Sequence, residues 1–231
     1  MSKTVAIVQS NYIPWKGYFD LIRRADAFVL LDDVQYTRRD WRNRNLIKTN
    51  NGLQWLTIPV DVKGQFEIKI NEVTVADPGW AQDHWNKIKQ WYGKAQHFKA
   101  FAPLVEEAYL SMHESSLSKI NFQFIQLIKK ILEIETPIFW SHDFNTTNEK
   151  STRLLELCQH LGATRYLSGP AAKSYLDVSL FQQAGIEVEW MDYTGYPVYN
   201  QLFGEFAHGV TVLDLIFNEG NNAKKYLLPI T

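Results

Sequence analysis

A chain of 231 residues, 45% hydrophobic and 21% charged, has the make-up of a globular protein able to bury a sizeable core. With 24 Lys and Arg against 25 Asp and Glu the net charge is −1, which argues against nucleic acid as a partner and leaves only local basic clusters. A single cysteine, Cys158, excludes an internal disulfide and a cysteine-built metal site.

The chain opens on an apolar run, Val5 to Val8, that reads as a strand. A turn carrying Asn11, Tyr12 and Pro14 follows, then a short helix pattern from Trp15 to Arg24, then a second apolar run from Phe28 to Leu31. Asp32-Asp33, Gln35-Tyr36 and a cluster of Arg, Asp, Trp and Asn come directly after. Polar groups crowded after each strand end are how an open α/β sheet makes a ligand crevice. Two alternating runs flank Asn50-Asn51-Gly52, a hairpin signal, and Phe66 to Val75 alternates as a further strand. At Asp77-Pro78 the period changes to helical, and three helices run to about Leu132. The α/β alternation then returns. Pro137 to Trp140 is a strand, Asn148 to Leu161 a helix, Arg165 to Leu167 a strand and Ser179 to Ala184 a short helix. IEVEWMDY reads as a strand and GVTVLDLIFNEG as a closing helix. The expected architecture is an open, mostly parallel α/β sheet built from both ends of the chain. An N-terminal half (1–76) and a C-terminal half (133–231) enclose an inserted helical block (77–132), all in one compact domain.

Five places could carry chemistry. In the turn Asn11 to Tyr18, Gly17 would let a phosphate approach the backbone at a helix start. Its shape is that of the phosphate-binding turn of nucleotidylyltransferase-like (HUP-like) folds, but Trp15 and Tyr18 stand where that turn has histidines. A plain helix start with an aromatic staple explains the same residues. Of Asp32 and Asp33 one would face the crevice, as a base, a hydroxyl partner or a Mg²⁺ ligand, the alternative being a capped turn plus a surface charge. Arg38, Arg39, Arg42 and Arg44, with Asn43, suit phosphate, carboxylate or sugar hydroxyls, or else a solvated edge. The turn Ser168-Gly169-Pro170, leading to Lys173, Ser174 and Tyr175, could present amides to an anion or be an ordinary connection. Asp214, set among Val212, Leu213, Leu215 and Ile216, is expected to make a structural hydrogen bond. The six histidines show no metal-binding spacing, and no metal is expected. Cys158, inside a helical pattern, reads as a buried inert thiol. The N-terminus lacks a signal-peptide pattern and no 18-residue apolar run occurs, so a cytoplasmic protein without membrane insertion is expected.

Several segments resemble the WbqC-like family of bacterial proteins. They are Q-x-x-Y-x-P-W-x-G-Y-F-D-L-I (Gln9 to Ile22), A-D-x-F-V-x-L-D-D-V-Q-Y (Ala25 to Tyr36), Trp41 with Asn43-Arg44-Asn45, and W-L-T-I-P-V. Y-L-S-G, P-x-Y-x-Q and V-L-D-L-I-F-N-E-G continue the likeness toward the C-terminus. The resemblance implies work in surface-polysaccharide (O-antigen) assembly on an activated sugar or its amino substituent. The reading that follows is an enzyme, a transferase or ligase, moving an acyl or aminoacyl group onto a nucleotide-activated amino sugar. Asp33 and Arg44 would be catalytic, and Gln9, Tyr12, Trp15, Gly17, Tyr18, Gln35, Arg42, Asn43, Ser168, Gly169 and Tyr175 would bind substrate. A small molecule, a nucleotide-sugar, is the expected partner. ATP and Mg²⁺ stay open as cofactors, and the oligomeric state is unassigned. The alternative is a ligand-binding or scaffold protein on a degenerate nucleotide-binding fold.

Overall fold

A computed structural model describes residues 2–147 and 150–229. Strand β1 (Thr4–Val8) leads through a turn into helix α1 (Lys16–Arg23) and back to β2 (Ala27–Leu30). A hairpin of β3 (Arg44–Thr49) and β4 (Gly52–Thr57) comes next, turning at Gly52, whose φ of +99° a side chain would resist. Three helices follow, α2 (Trp80–Tyr92), α3 (Phe98–Leu110) and α4 (Leu117–Ile131). Then come β5 (Ile138–Trp140), α5 (Lys150–His160), β6 (Arg165–Ser168), α6 (Val178–Gln183), β7 (Glu187–Trp190) and α7 (Val212–Glu219). The expected start of the fifth helix at Asn148 lies outside the described residues.

Five strands form one parallel sheet in the order β5-β2-β1-β6-β7, and the hairpin stands apart. The chain thus winds outward from β1 in one direction and then, past β1, in the other. That order creates a topological switch point between the carboxyl ends of β1 and β6, where open α/β sheets place ligands. Strand alternation divides the cores. Val5, Ile7, Ala27, Val29 and Tyr166 face α5 and α6, while Ala6, Phe28, Leu30 and Leu167 face α1, the three central helices and α7. The central helices share the apolar core of that second face.

One expected strand does not form. Phe66 to Val75 instead runs as a drape with a 3-10 turn at Ile70–Glu72. Its amides and carbonyls pair briefly with Val34, Tyr36 and Asp32, then Val60, then Ser116. Ile70 and Val73, three residues apart at either end of that turn, are the buried positions, so the period-two pattern is broken there and no single strand lies alongside.

Candidate functional site

The turn after β1 is over-determined. Tyr12 is fully buried, and its hydroxyl donates to His84 Nδ1 (2.8 Å) and meets the Tyr109 hydroxyl (2.6 Å). His84 Nε2 faces the Thr57 carbonyl (3.2 Å) and donates to it, which leaves Nδ1 as the acceptor for Tyr12. Burial lowers the His84 pKa to about 4, so the ring is neutral and the chain of bonds fixed. Ile13 sits at a φ of +36°, a region a β-branched residue enters only where its surroundings impose it. Asn45 imposes it: its amide donates to the carbonyls of Tyr12 (3.1 Å) and Ile13 (3.0 Å). Backbone bonds from Tyr12 to Trp41 and from Val212 to Pro14 (both 3.0 Å) close the turn.

Beside this turn lies a cleft of about 390 Å³ lined by Asn11, Pro14, Trp15, Trp41, Asn45, His208 and Gly209. Trp15 is held edge-on by Tyr193 (5.2 Å between ring centroids) and Tyr196 (5.7 Å). Gly17 lies beneath the indole, where a Cβ would come within 2.3 Å of it. That close approach, not access for a phosphate, is what requires glycine there. Trp41 is 40% exposed and leans on Trp55 (5.3 Å), over which the Arg44 guanidinium stacks at 4.1 Å. The Asn11 side-chain oxygen is buried with no hydrogen-bond partner among the described residues. Burial, then the neighbouring Lys16 charge, lowers the His208 pKa, which favours the neutral imidazole at neutral pH.

Behind the cleft, the coil between β7 and α7 wraps Lys16, the first residue of α1. Its ammonium donates to the Pro197 carbonyl (3.2 Å) and faces the rings of Tyr196 (4.8 Å), Tyr199 (5.2 Å) and Phe206 (5.5 Å). Burial lowers its pKa to about 8 against the pull of Asp20 and Asp214. Asp214 makes the structural bonds expected of it, accepting from Tyr199 (2.7 Å) and Gln201 (2.9 Å); burial still raises its pKa. Gln201 passes the network to Lys48 (2.9 Å) on β3.

The carboxylates after β2 are engaged inside the protein. Asp32 is fully buried and accepts from the Ser10 amide (2.7 Å) and the Ser118 hydroxyl. Asp33 accepts from Ser141 and forms an ion pair with Arg153 of α5. Burial pushes the Asp33 carboxyl up, but these two partners outweigh it and hold it below the usual carboxylate range.

Other expected site residues serve the frame. Tyr12 and Tyr18 belong to the core, and the Tyr18 hydroxyl donates to the Gln9 carbonyl (3.1 Å). Arg42 reaches Gln9 Oε1 (3.2 Å) and Asp40 (3.6 Å), which ties Gln9 to the Arg segment. Asn43 donates to the Ile58 carbonyl (2.8 Å). Gln35 donates to the Phe66 carbonyl (2.7 Å) and anchors the drape. Ser168 is buried with its hydroxyl on Tyr166 (3.3 Å), while Gly169 lies at the end of β6 facing the Tyr193 hydroxyl. Tyr175 is 63% exposed, away from the cleft. Cys158 is buried and its thiol pushed up to about 12 by burial, as expected of an inert cysteine. So the cleft unites Trp15 with Asn11, Trp41, Asn45 and His208, four residues not assigned to substrate from sequence. Among the described residues no three His, Cys, Asp or Glu side chains gather as a metal-binding group, and no helix is long and apolar enough to cross a membrane.

Comparison with known proteins bears on the whole chain. The profile of the WbqC-like protein family matches residues 9–226. A Mycobacterium tuberculosis protein described as "Uncharacterized protein Rv1507c" is 48% identical over 225 residues, 97% of each chain. No solved structure matches. With the turn, the Trp41–Asn45 segment and the C-terminal coil all inside the matched span, the chain belongs to the WbqC-like family.

Proposed function

We propose that this protein acts on a nucleotide-activated sugar in surface-polysaccharide assembly, transferring a small acyl or aminoacyl group to a sugar amine in the 390 Å³ cleft. The observation that carries this reading is the lining: two indoles, Trp15 and Trp41, beside the amides of Asn11 and Asn45 and the imidazole of His208. Aromatic faces with a few polar groups are the make-up of a small-molecule site, and the unpaired Asn11 oxygen awaits a donor such as a sugar hydroxyl or amide. In this reading His208, not Asp33, is the base. The amine nitrogen attacks the carbonyl of an activated donor, such as a thioester, and the N–C bond forms as the bond to the leaving group breaks. His208 takes the amine proton and passes it to the leaving group. The depressed His208 pKa keeps that imidazole able to accept a proton. Arg44, stacked on Trp55 at the rim, would meet the phosphates, as would Arg39 beside it. Trp41→Ala should weaken nucleotide-sugar binding at least tenfold in calorimetry. His208→Ala should spare binding and abolish transfer.

The engagement of Asp33 by Arg153 favours a second reading, a ligand-binding or scaffold protein without chemistry. In that case Arg44→Ala and His208→Ala would lower affinity for ligand while leaving every product profile unchanged.

A further inference from the structure

A second cleft, of about 500 Å³, opens over the carboxyl ends of β2 and β5, on the opposite side of the sheet from β6 and β7. Its size falls within the roughly 300–1,000 Å³ of small-molecule sites. We propose that it binds a free α-amino acid, and this stands whether or not the first cleft takes a nucleotide-sugar.

The walls sort into three kinds. Phe122 and Trp140 form an aromatic pair (5.1 Å between centroids), extended by His142 at 5.5 Å from Trp140. Such a face accepts an apolar side chain or the flat of a ring. Glu114 and Lys119 bring one full charge of each sign to the same wall, 3.8 Å apart. A ligand with a single charge would gain from one and be opposed by the other; a zwitterion satisfies both. Third, the Asn71 side-chain oxygen is buried in this wall with no hydrogen-bond partner among the described residues. A buried acceptor left unpaired is costly, and an ammonium group supplies the missing donor. The ligand's carboxylate would then lie toward Lys119, at the start of the 15-residue α4, where helix amides add to the attraction.

The frame is built to hold these groups still. Backbone N–H groups donate from Asn71 to the Asp32 carbonyl (2.8 Å), from Val75 to Ser115 (2.9 Å) and from Leu117 to Val73 (2.9 Å). Glu114 also accepts from the Ser115 and Ser116 amides (2.9 and 2.8 Å), which fixes its carboxylate. Ser118, on the floor, is locked onto buried Asp32.

The test is a titration of the full-length protein, by ¹⁵N-resolved NMR and calorimetry. The probes are L-phenylalanine and L-leucine, with 3-phenylpropionate and phenethylamine as analogues that each lack one charge. The expected result is saturable binding of an amino acid with shifts at Ser118, Lys119 and the Trp140 indole, and at least tenfold weaker binding of both analogues. Glu114→Gln and Asn71→Ala should each weaken the amino acid at least tenfold, and Trp41→Ala should leave it unchanged. Glu114→Gln, which keeps a side-chain oxygen for the Ser115 and Ser116 amides, keeps the test open should Asn71→Ala fail to fold. No saturable amino-acid binding, equal binding of a singly charged analogue, or binding lost with Trp41→Ala instead would overturn the proposal. The last of these would move the ligand to the first cleft, whose own assignment is tested with nucleotide-sugars and is untouched by a failure here.

Discussion

The two segments that face each other across the 390 Å³ cleft are built on opposite plans. The turn from Gln9 to Trp15 is short and pinned by distant parts of the chain: Tyr12 in the core, Ile13 forced to positive φ, Pro14 bonded to α7. The coil from Met191 to Val210 is long and irregular, and polar side chains hold it through Lys16, Gln201 and Asp214. A rigid wall positions Asn11 and Trp15; a wall tied down by titratable groups positions His208. Rigidity of the first wall comes from buried hydrogen bonds, and placement of the second from a network of charged and polar side chains.

That contrast can be broken at either side. The largest effect should come from Asn45→Ala, which orphans two buried carbonyls and frees a strained Ile13. A loss of about 2–4 kcal/mol is expected, with the cleft deformed, as chemical denaturation and ligand titration would report. Gly17→Ala should come next. A methyl group under the Trp15 indole displaces the ring, at about 1–3 kcal/mol and with a shift in tryptophan fluorescence. Lys16→Met addresses the other wall. Because the folded pKa of about 8 lies below the ordinary 10.5, the unfolded chain holds more protons between these values. Wild-type stability therefore gains from this group as pH rises through that window, and the gain should vanish in Lys16→Met. Measuring the difference between pH 8 and 9.5 avoids the tyrosines. Smallest of all, Tyr175→Ala should change stability by no more than about 0.5 kcal/mol and leave binding intact, since that ring is exposed.

The parallel α/β architecture was legible because apolar runs, helical periods and Gly punctuation act over a few residues. The Gln9–Ile22 segment was legible as a strand, turn and helix for the same reason. Side-chain direction was not legible. Tyr12 and Trp15 read alike as aromatics in a turn, yet one is core and one lines the cleft, because the former meets His84 and Tyr109, over 70 residues away. Asp33 looked free until Arg153, 120 residues on, proved to be its partner. His208 carried no local signal at all; only the fold of the C-terminal coil brings it to Trp15. Asn45, by contrast, sat inside the Asn43-Arg44-Asn45 run, and its neighbour Asn43 drew the assignment instead. Mutual exposure of Trp41 and Trp55 likewise depends on the hairpin's register, in which Leu46 faces Trp55.

We propose above that the cleft between these two walls holds a nucleotide-activated sugar. Calorimetric titration of a nucleotide-activated amino sugar into wild type and Trp41→Ala tests it most directly. Saturable one-site binding by the wild type, weakened at least tenfold in Trp41→Ala, is the predicted result. Absence of binding, or equal affinity in the two proteins, would contradict it.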